Sequence, residues 1–299
     1  MTEENFKCGY VAIIGRPNMG KSTLLNHILG LKLSITSRKP QTTRHQILGV
    51  KNVDNGQFVY VDTPGIHSGG NRAINRYMNR AASSVIHDVD IVLFLVQALK
   101  WTDEDELVLK KLEQVDVPVV LLVNKVDKIS DKDQLLPFIS EISEKYNFAN
   151  VIPISAKQGD NVQQLEDYVL TQLPEAPAFF QNDEYTDRST RFLAAEIIRE
   201  KLVRELGNEL PYQTTVEIES YKDEEKITRI QALILVETKG QKIIVIGDKG
   251  ARLKSIGTKA RKDIETLIDR KVFLQLWVKV KSGWSDSEAS LRSLGYDAD

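Results

Sequence analysis

The sequence predicts an α/β domain built on a mostly parallel sheet with one antiparallel edge pair, followed by a smaller α+β domain. Three observations predict it. The chain has 299 residues, more than a single hydrophobic core usually serves, so two domains are expected. Between residues 9 and 173, apolar runs alternate with amphipathic stretches, the pattern of strands and helices layered on one sheet. Beyond residue 188 the order of elements changes.

Taken in order, the strand-like runs are "GYVAIIG", "HQILGV", "QFVYVDT", "DIVLFLV", "PVVLLVNK" and "NVIPISA". The second and third are joined through "DNG", where Asn55-Gly56 suits a tight hairpin turn, so this pair is expected to be antiparallel. The first domain is placed at residues 1–173. Residues 174–188, "PEAPAFFQNDEYTDR", read as a linker, because two prolines and a polar run support neither helix nor strand. The second domain is placed at 189–281. Ala195, Ile198, Leu202 and Leu206 form a helical stripe, with Gly207 as its C-cap. Then come "YQTTVEIESY" and "ITRIQALILVET" as strands, a Gly-containing turn, a helix from Gly250 to about Asp269, and a final strand "VFLQLWVKV". Residues 282–299 form a polar tail without a clear signal.

Composition excludes several classes. With 41% hydrophobic and 27% charged residues, the chain reads as an ordinary globular protein. Its start, "MTEENFKCGY", lacks the basic-then-apolar order of a signal peptide. The longest apolar runs fall far short of the ~20 residues of a membrane span. One cysteine allows no internal disulfide, and four scattered histidines show no metal-ligand spacing. A reducing cytoplasm is the expected compartment. The net charge of −2 conceals a local excess: residues 239–281 hold 12 Lys and Arg against 4 Asp and Glu.

"GRPNMGKST", Gly15, Arg16, Pro17, Asn18, Met19, Gly20, Lys21, Ser22 and Thr23, follows the first strand and opens the first helix. The spacing is that of a phosphate-binding loop, whose backbone N–H groups and helix N-terminus hold anionic oxygens. Lys21 is expected on the β- and γ-phosphates and the Ser22 hydroxyl on Mg²⁺. Three more motifs close strands. In Asp62-Thr63-Pro64-Gly65, the Asp reaches Mg²⁺ through water and the Gly turns its N–H to the γ-phosphate. In "NKVD", Asn124, Lys125, Val126 and Asp127, Asp127 accepts from both donors on the guanine amino edge and Asn124 meets the opposite edge. Adenine lacks those donors, so a buried Asp left unpaired selects guanine. In "SAK", Ser155, Ala156 and Lys157, backbone N–H groups are expected to reach the guanine carbonyl. Between the loop and Asp62, the polar segment "SITSRKPQTTRHQ" is expected to be ordered by ligand, with Thr42 or Thr43 joining the Mg²⁺ shell.

In the second domain, "GDKG", Gly247, Asp248, Lys249 and Gly250, precedes a basic helix. Two glycines let backbone approach backbone, so such a loop can clamp a sugar-phosphate chain. Leu253, Ile256, Ala260, Ile264 and Leu267 make the helix's core stripe, and Arg252, Lys254, Lys259, Arg261 and Lys262 lie off it. RNA contact is assigned to Gly247, Asp248, Lys249, Gly250, Arg252, Lys254 and Lys259.

Read together, "GRPNMGKST", "QTTRH", "DTPG", "NKVD", "SAK" and "VIGDKGARLKSIG" resemble the Era family of bacterial GTPases over nearly the whole chain. The resemblance implies a P-loop GTPase domain followed by a KH domain. It implies Mg²⁺-dependent GTP hydrolysis, binding of the 3′ end of small-subunit ribosomal RNA, and a role in small ribosomal subunit maturation. It also implies a monomer in the cytoplasm with peripheral association to the inner face of the cell membrane. Thr43 is chosen over Thr42 on this ground. Metal binding is then assigned to Ser22, Thr43 and Asp62, and catalysis to Lys21, Thr43, Gly65 and Asn18, the last by holding K⁺ against the phosphates. The competing reading is a GTPase adaptor whose basic domain binds membrane or protein.

One position departs from many nucleotide hydrolases. Ile66, in "DTPGIH", stands where a polar side chain often orients the attacking water. It is expected to pack beneath the second switch, and His67 to face solvent.

Overall fold

The computed structural model describes residues 6–37, 39, 42–66, 72–207 and 213–296. His67 lies outside them. The chain forms two compact units, residues 1–34, 43–71 and 75–187 in one, and 35–42, 72–74 and 188–299 in the other.

The first unit holds six strands: β1 Lys7–Ile14, β2 Ile47–Val53, β3 Gly56–Asp62, β4 Ile91–Gln97, β5 Val119–Asn124 and β6 Asn150–Ile154. Their order is β2-β3-β1-β4-β5-β6, and only β2 and β3 pair antiparallel. The central strands β4 and β5 are buried almost throughout, so both faces must be apolar; this explains their unbroken Val, Leu and Ile runs. The helices are α1 Lys21–Leu29, α2 Ala73–Ser84, α3 Asp103–Leu112, α4 Leu135–Ser143 and α5 Val162–Gln172. The hairpin turn falls one residue earlier than expected. Val53 pairs with Gly56, leaving Asp54 and Asn55 as a two-residue loop. Gly56 serves the sheet instead: a Cβ there would lie 2.8 Å from the Lys7 carbonyl oxygen.

Residues 174–187 fall in the first unit and are fixed there, although they form no helix or strand beyond a single β-bridge from Glu175 to Lys7. The buried Gln57 carboxamide accepts from Phe179 N at 2.8 Å and Phe180 N at 3.0 Å, and donates to Phe180 O at 2.9 Å. Phe179 stacks on Tyr10 with ring centroids 5.4 Å apart. Composition could not reveal this, because the anchor is a side chain far away in sequence.

In the second unit, α6 Thr190–Glu205 is followed by β7 Thr214–Asp223, β8 Thr228–Val236, α7 Lys239–Ile246, α8 Ala251–Ile268, β9 Val272–Val280 and α9 Glu288–Ser293. The sheet order is β7-β8-β9, antiparallel then parallel. Helices α6 and α8 cover one face through Ile198, Leu202, Ile256, Ala260 and Ile264. The stripe on α6 holds, but the helix stops at Glu205 with Leu206 as its C-cap, so Gly207 lies beyond it. Helix α7 replaces the expected turn. Despite Gly240 and the β-branched residues of "KIIVI", Thr238 and Gln241 form a capping box that starts a helix. The tail is packed: Trp284 and Tyr296 are buried, and Glu237 accepts from Ser285 N at 3.1 Å and Ser285 Oγ at 2.7 Å.

Candidate nucleotide and nucleic-acid sites

The phosphate loop leaves β1 and enters α1 through backbone that few side chains tolerate. Gly15, Asn18 and Gly20 all have positive φ, and a Cβ on Gly20 would meet Asn124 Nδ2 at 2.5 Å. Lys21 is buried and donates to the carbonyls of Gly15 at 2.9 Å and Arg16 at 3.1 Å. Burial pushes its pKa down to about 8, opposed by the nearby Asp62 carboxylate. A phosphate placed there would supply the missing counter-charge. Arg16 turns its guanidinium away, pairing with Asp105 of α3 at 2.9 Å, so the loop is bolted to α3. Pro17 is half-buried, Met19 is buried, and Thr23 lies half-buried in the first turn of α1.

Three groups assigned to metal converge. Ser22 Oγ lies 2.7 Å from both Asp62 Oδ2 and Thr43 Oγ1. Asp62 is fully buried at the end of β3, and burial raises its pKa while the Ser22 hydrogen bond and Lys21 lower it. Its other oxygen, Oδ1, is buried with no hydrogen-bond partner among the described residues. A carboxylate flanked by two hydroxyls, one oxygen left over, fits a hard divalent cation. Thr42 is not part of this group: its hydroxyl donates to Lys39 O at 2.7 Å.

The rest of the Asp62 motif is mostly scaffold. Thr63 Oγ1 donates to Ile13 O at 2.9 Å, and Pro64 is buried. Gly65 passes so close to the phosphate loop that a Cβ would lie 2.7 Å from Pro17 N. Ile66 is 3% exposed and belongs to the core of the first unit, as packing beneath the switch requires.

At the base-reading end, one side chain ties three loops together. Asn124 donates to Met19 O at 2.6 Å and accepts from Ala156 N at 2.9 Å and Lys125 N at 2.7 Å. The Ala156 N–H is thus used within the protein, not held open for a guanine carbonyl. The Asn124 amide keeps a second N–H, so bracing and a contact to the base edge are compatible. Lys125, in left-handed backbone, donates to Asn18 O at 2.7 Å and Gln97 Oε1 at 3.1 Å. Burial, then Lys128 and Arg16, lowers its pKa to about 8. Asp127 is exposed, with Oδ1 held by Ser155 Oγ at 2.8 Å; Lys157 is exposed, and Val126 packs on the core.

In the second unit, Gly247 and Gly250 have φ of 73° and 81°, and Lys249 between them 45°. Gly247 cannot carry a side chain, since a Cβ would lie 2.7 Å from Arg252 Cβ. Asp248 and Lys249 project as an exposed tip, and Arg252 donates to Ile244 O, closing α7 onto α8. Beside the tip lies a groove of about 360 Å³, lined by Leu253, Lys254, Gly257, Arg261, Leu274 and Leu276 among others. Its apolar floor and cationic rim suit bases and phosphates respectively. A Cβ on Gly257 would come within 3.3 Å of Leu276, so the glycine keeps the floor open. Lys259 does not join this groove; it faces α6 and pairs with Glu205 at 2.7 Å. The sequence reading missed Leu274, Leu276 and Gly257. Alternation along β9 was the available signal for the leucines.

Comparisons with known proteins agree with this geometry. A family profile described as "50S ribosome-binding GTPase" matches residues 10–125, and one described as "KH domain" matches residues 209–285. The chain is 60% identical to GTPase Era of Pseudomonas aeruginosa, over 97% of this chain and 95% of that one. It is 59% identical to GTPase Era of Pseudomonas fluorescens, over 99% of both. A crystal structure of Era in complex with MgGDPNP and nucleotides 1506–1542 of 16S ribosomal RNA superposes with a TM-score of 0.95 at 39% identity, covering 98% of this chain and 100% of that one. A variant of Aquifex aeolicus Era bound to GDP and aluminium fluoride matches equally well, with TM-score 0.95, 39% identity and the same coverage. With its phosphate loop, its guanine-reading loops and its KH unit in that order, the chain belongs to the Era family of GTPases, which hydrolyse GTP.

Proposed function

We propose that this GTPase binds the 3′ end of small-subunit ribosomal RNA and acts in small ribosomal subunit maturation, with nucleotide state timing the engagement. The groove beside the Gly247–Gly250 tip, apolar below and cationic at its rim, carries the RNA reading. One relative that matches over 98% of this chain was crystallised with nucleotides 1506–1542 of 16S ribosomal RNA. That favours the small subunit over the large one named in the profile, which covers residues 10–125 alone.

Ser22, Thr43 and Asp62 would hold Mg²⁺, which when bound neutralises charge on the β- and γ-phosphates. Lys21 supplies a second positive charge there, and the Gly65 backbone meets the γ-phosphate. Asn18, at the exposed tip of the phosphate loop, would hold K⁺. The protein acts as a monomer in the cytoplasm, with peripheral contact to the inner face of the cell membrane; among the described residues no helix is long and apolar enough to cross one.

The test is crosslinking of the GTP-loaded protein in cell extract, with the bound RNA sequenced. Reads concentrated at the 3′ end of small-subunit ribosomal RNA are expected. No RNA above background would favour the adaptor reading, in which the basic unit binds lipid or protein.

A further inference from the structure

We propose that the outer face of strand β9 is a stacking subsite for single-stranded RNA, continuous with the groove on the strand's other side. The inference rests on the RNA reading above. β9 is an edge strand, paired with β8 alone. Its side chains alternate between faces: Leu274 and Leu276 turn to the groove, and Phe273 and Trp277 turn the other way. Those two rings are 41% and 43% exposed. They sit four residues apart, about 13 Å along an extended strand, far enough to stack separate bases.

The neighbours suit a nucleic acid. The register sets Arg229 beside Phe273 and Leu233 beside Trp277, and the Arg229 guanidinium lies 5.1 Å from the Phe273 ring centre. Arg229 also pairs with Glu224 at 2.8 Å, so it braces the ring more than it adds charge. Residues 270–281 contain Arg270, Lys271, Lys279 and Lys281 and no acid. Arg270 lies 3.7 Å from Asp223, and Lys271 and Lys279 are exposed. Glu217 and Glu219 are on β7, the far strand of the sheet, which steers an anionic chain toward β9. Aromatic faces interleaved with cations are how single strands are held without regard to sequence. A second copy of this chain fits poorly, because a two-fold contact here would set Lys271 and Lys279 near like charges.

The test uses the full chain and, as probe, nucleotides 1506–1542 of 16S ribosomal RNA. The chain has three tryptophans; Trp284 is buried, and Trp101 lies half-buried in the first unit. RNA should therefore quench Trp277 fluorescence, and Trp277→Phe should remove the quenching while keeping affinity within about twofold. Trp277→Ala and Phe273→Ala should each weaken binding roughly tenfold, the scale of one lost stacked base, at unchanged melting temperature. The salt slope should stay put, since a stacked base releases no counterion. Lys254→Ala and Arg261→Ala, in the groove, should lower affinity and slope together. If those groove variants weaken binding while both alanine variants of β9 bind normally, the stacking subsite is overturned and the RNA reading stands. If the wild type binds no RNA, that reading fails as well. Loss of self-association or of anionic-vesicle binding in the β9 variants, with RNA affinity intact, would give the face to another partner.

Discussion

Ser22 donates its hydroxyl to Asp62 Oδ2 at 2.7 Å, and that hydrogen bond fixes the orientation of a fully buried carboxylate. Asp62→Asn should therefore leave the metal-free protein as stable as before or slightly more so, since a desolvated charge is removed. Mg²⁺ should no longer raise the melting temperature in the presence of GDP. Calorimetry with and without Mg²⁺ checks both. A large loss of stability without metal would mean that the carboxylate serves mainly as scaffold.

Lys21 carries the clearest pH signature. Its folded pKa of about 8 lies below the ordinary 10.5, so the unfolded chain binds the extra proton between those values. Stability of the nucleotide-free protein should then rise with pH from about 8 to 10.5. Below pH 8 the buried ammonium is a constant cost. Lys21→Met should remove that pH dependence and raise the melting temperature at pH 7, while GTP affinity collapses. Denaturant titrations of both proteins across this range measure it.

Asp127 accepts from Ser155 with one oxygen, and its side chain is exposed, open to the guanine edge proposed for it. Asp127→Asn presents a donor where guanine also donates, so preference should shift toward xanthine nucleotides. Competition binding with GDP and XDP reads the change. Retained GDP preference would refute the base assignment.

Ile66 is sealed into the core and cannot polarise water. If a monovalent cation supplies charge at Asn18 instead, intrinsic hydrolysis should rise when K⁺ replaces Na⁺ at constant ionic strength. The gain should stay below the 10³–10⁵ an inserted arginine brings. Asn18→Ala should abolish the difference with GTP binding largely kept, and Ile66→Ala should change the rate only modestly. Equal rates in both salts would sink the proposal.

Gly257→Ala should split stability from binding. Alanine favours a helix over glycine by about 1 kcal/mol, so the melting temperature should rise or hold. The added methyl crowds Leu276 and shallows the groove, so RNA affinity should fall several-fold. Unchanged RNA affinity would show that bases do not reach this part of the floor.

Much of this architecture was legible in the residues, and the reasons are local. Strands such as β4 and β5 are unbroken apolar runs, and a phosphate loop declares itself by glycine spacing. The α7 segment reads as a turn because Gly240 is a turn residue; the signal for the helix is a capping box of only two residues, Thr238 and Gln241. The roles of Asn124 and Ala156 were legible only in part. Spacing places them at the base, but their mutual hydrogen bond joins residues 32 positions apart. Lys259 was assigned by its charge and its place off the core stripe of α8; its partner Glu205 is on a different helix, which helical periodicity cannot show. The anchoring of 174–187 by Gln57 escaped for the same reason.

The Asn124 brace has a kinetic consequence. The loop that holds phosphates, through Met19, and the loop beside the base, through Ala156, hang on one carboxamide. Neither can open alone without stranding a buried amide, which costs about 1–3 kcal/mol. Release of spent GDP is therefore a concerted loosening of both ends of the nucleotide. A factor that hastens exchange need only pry at one of them, and the other will follow.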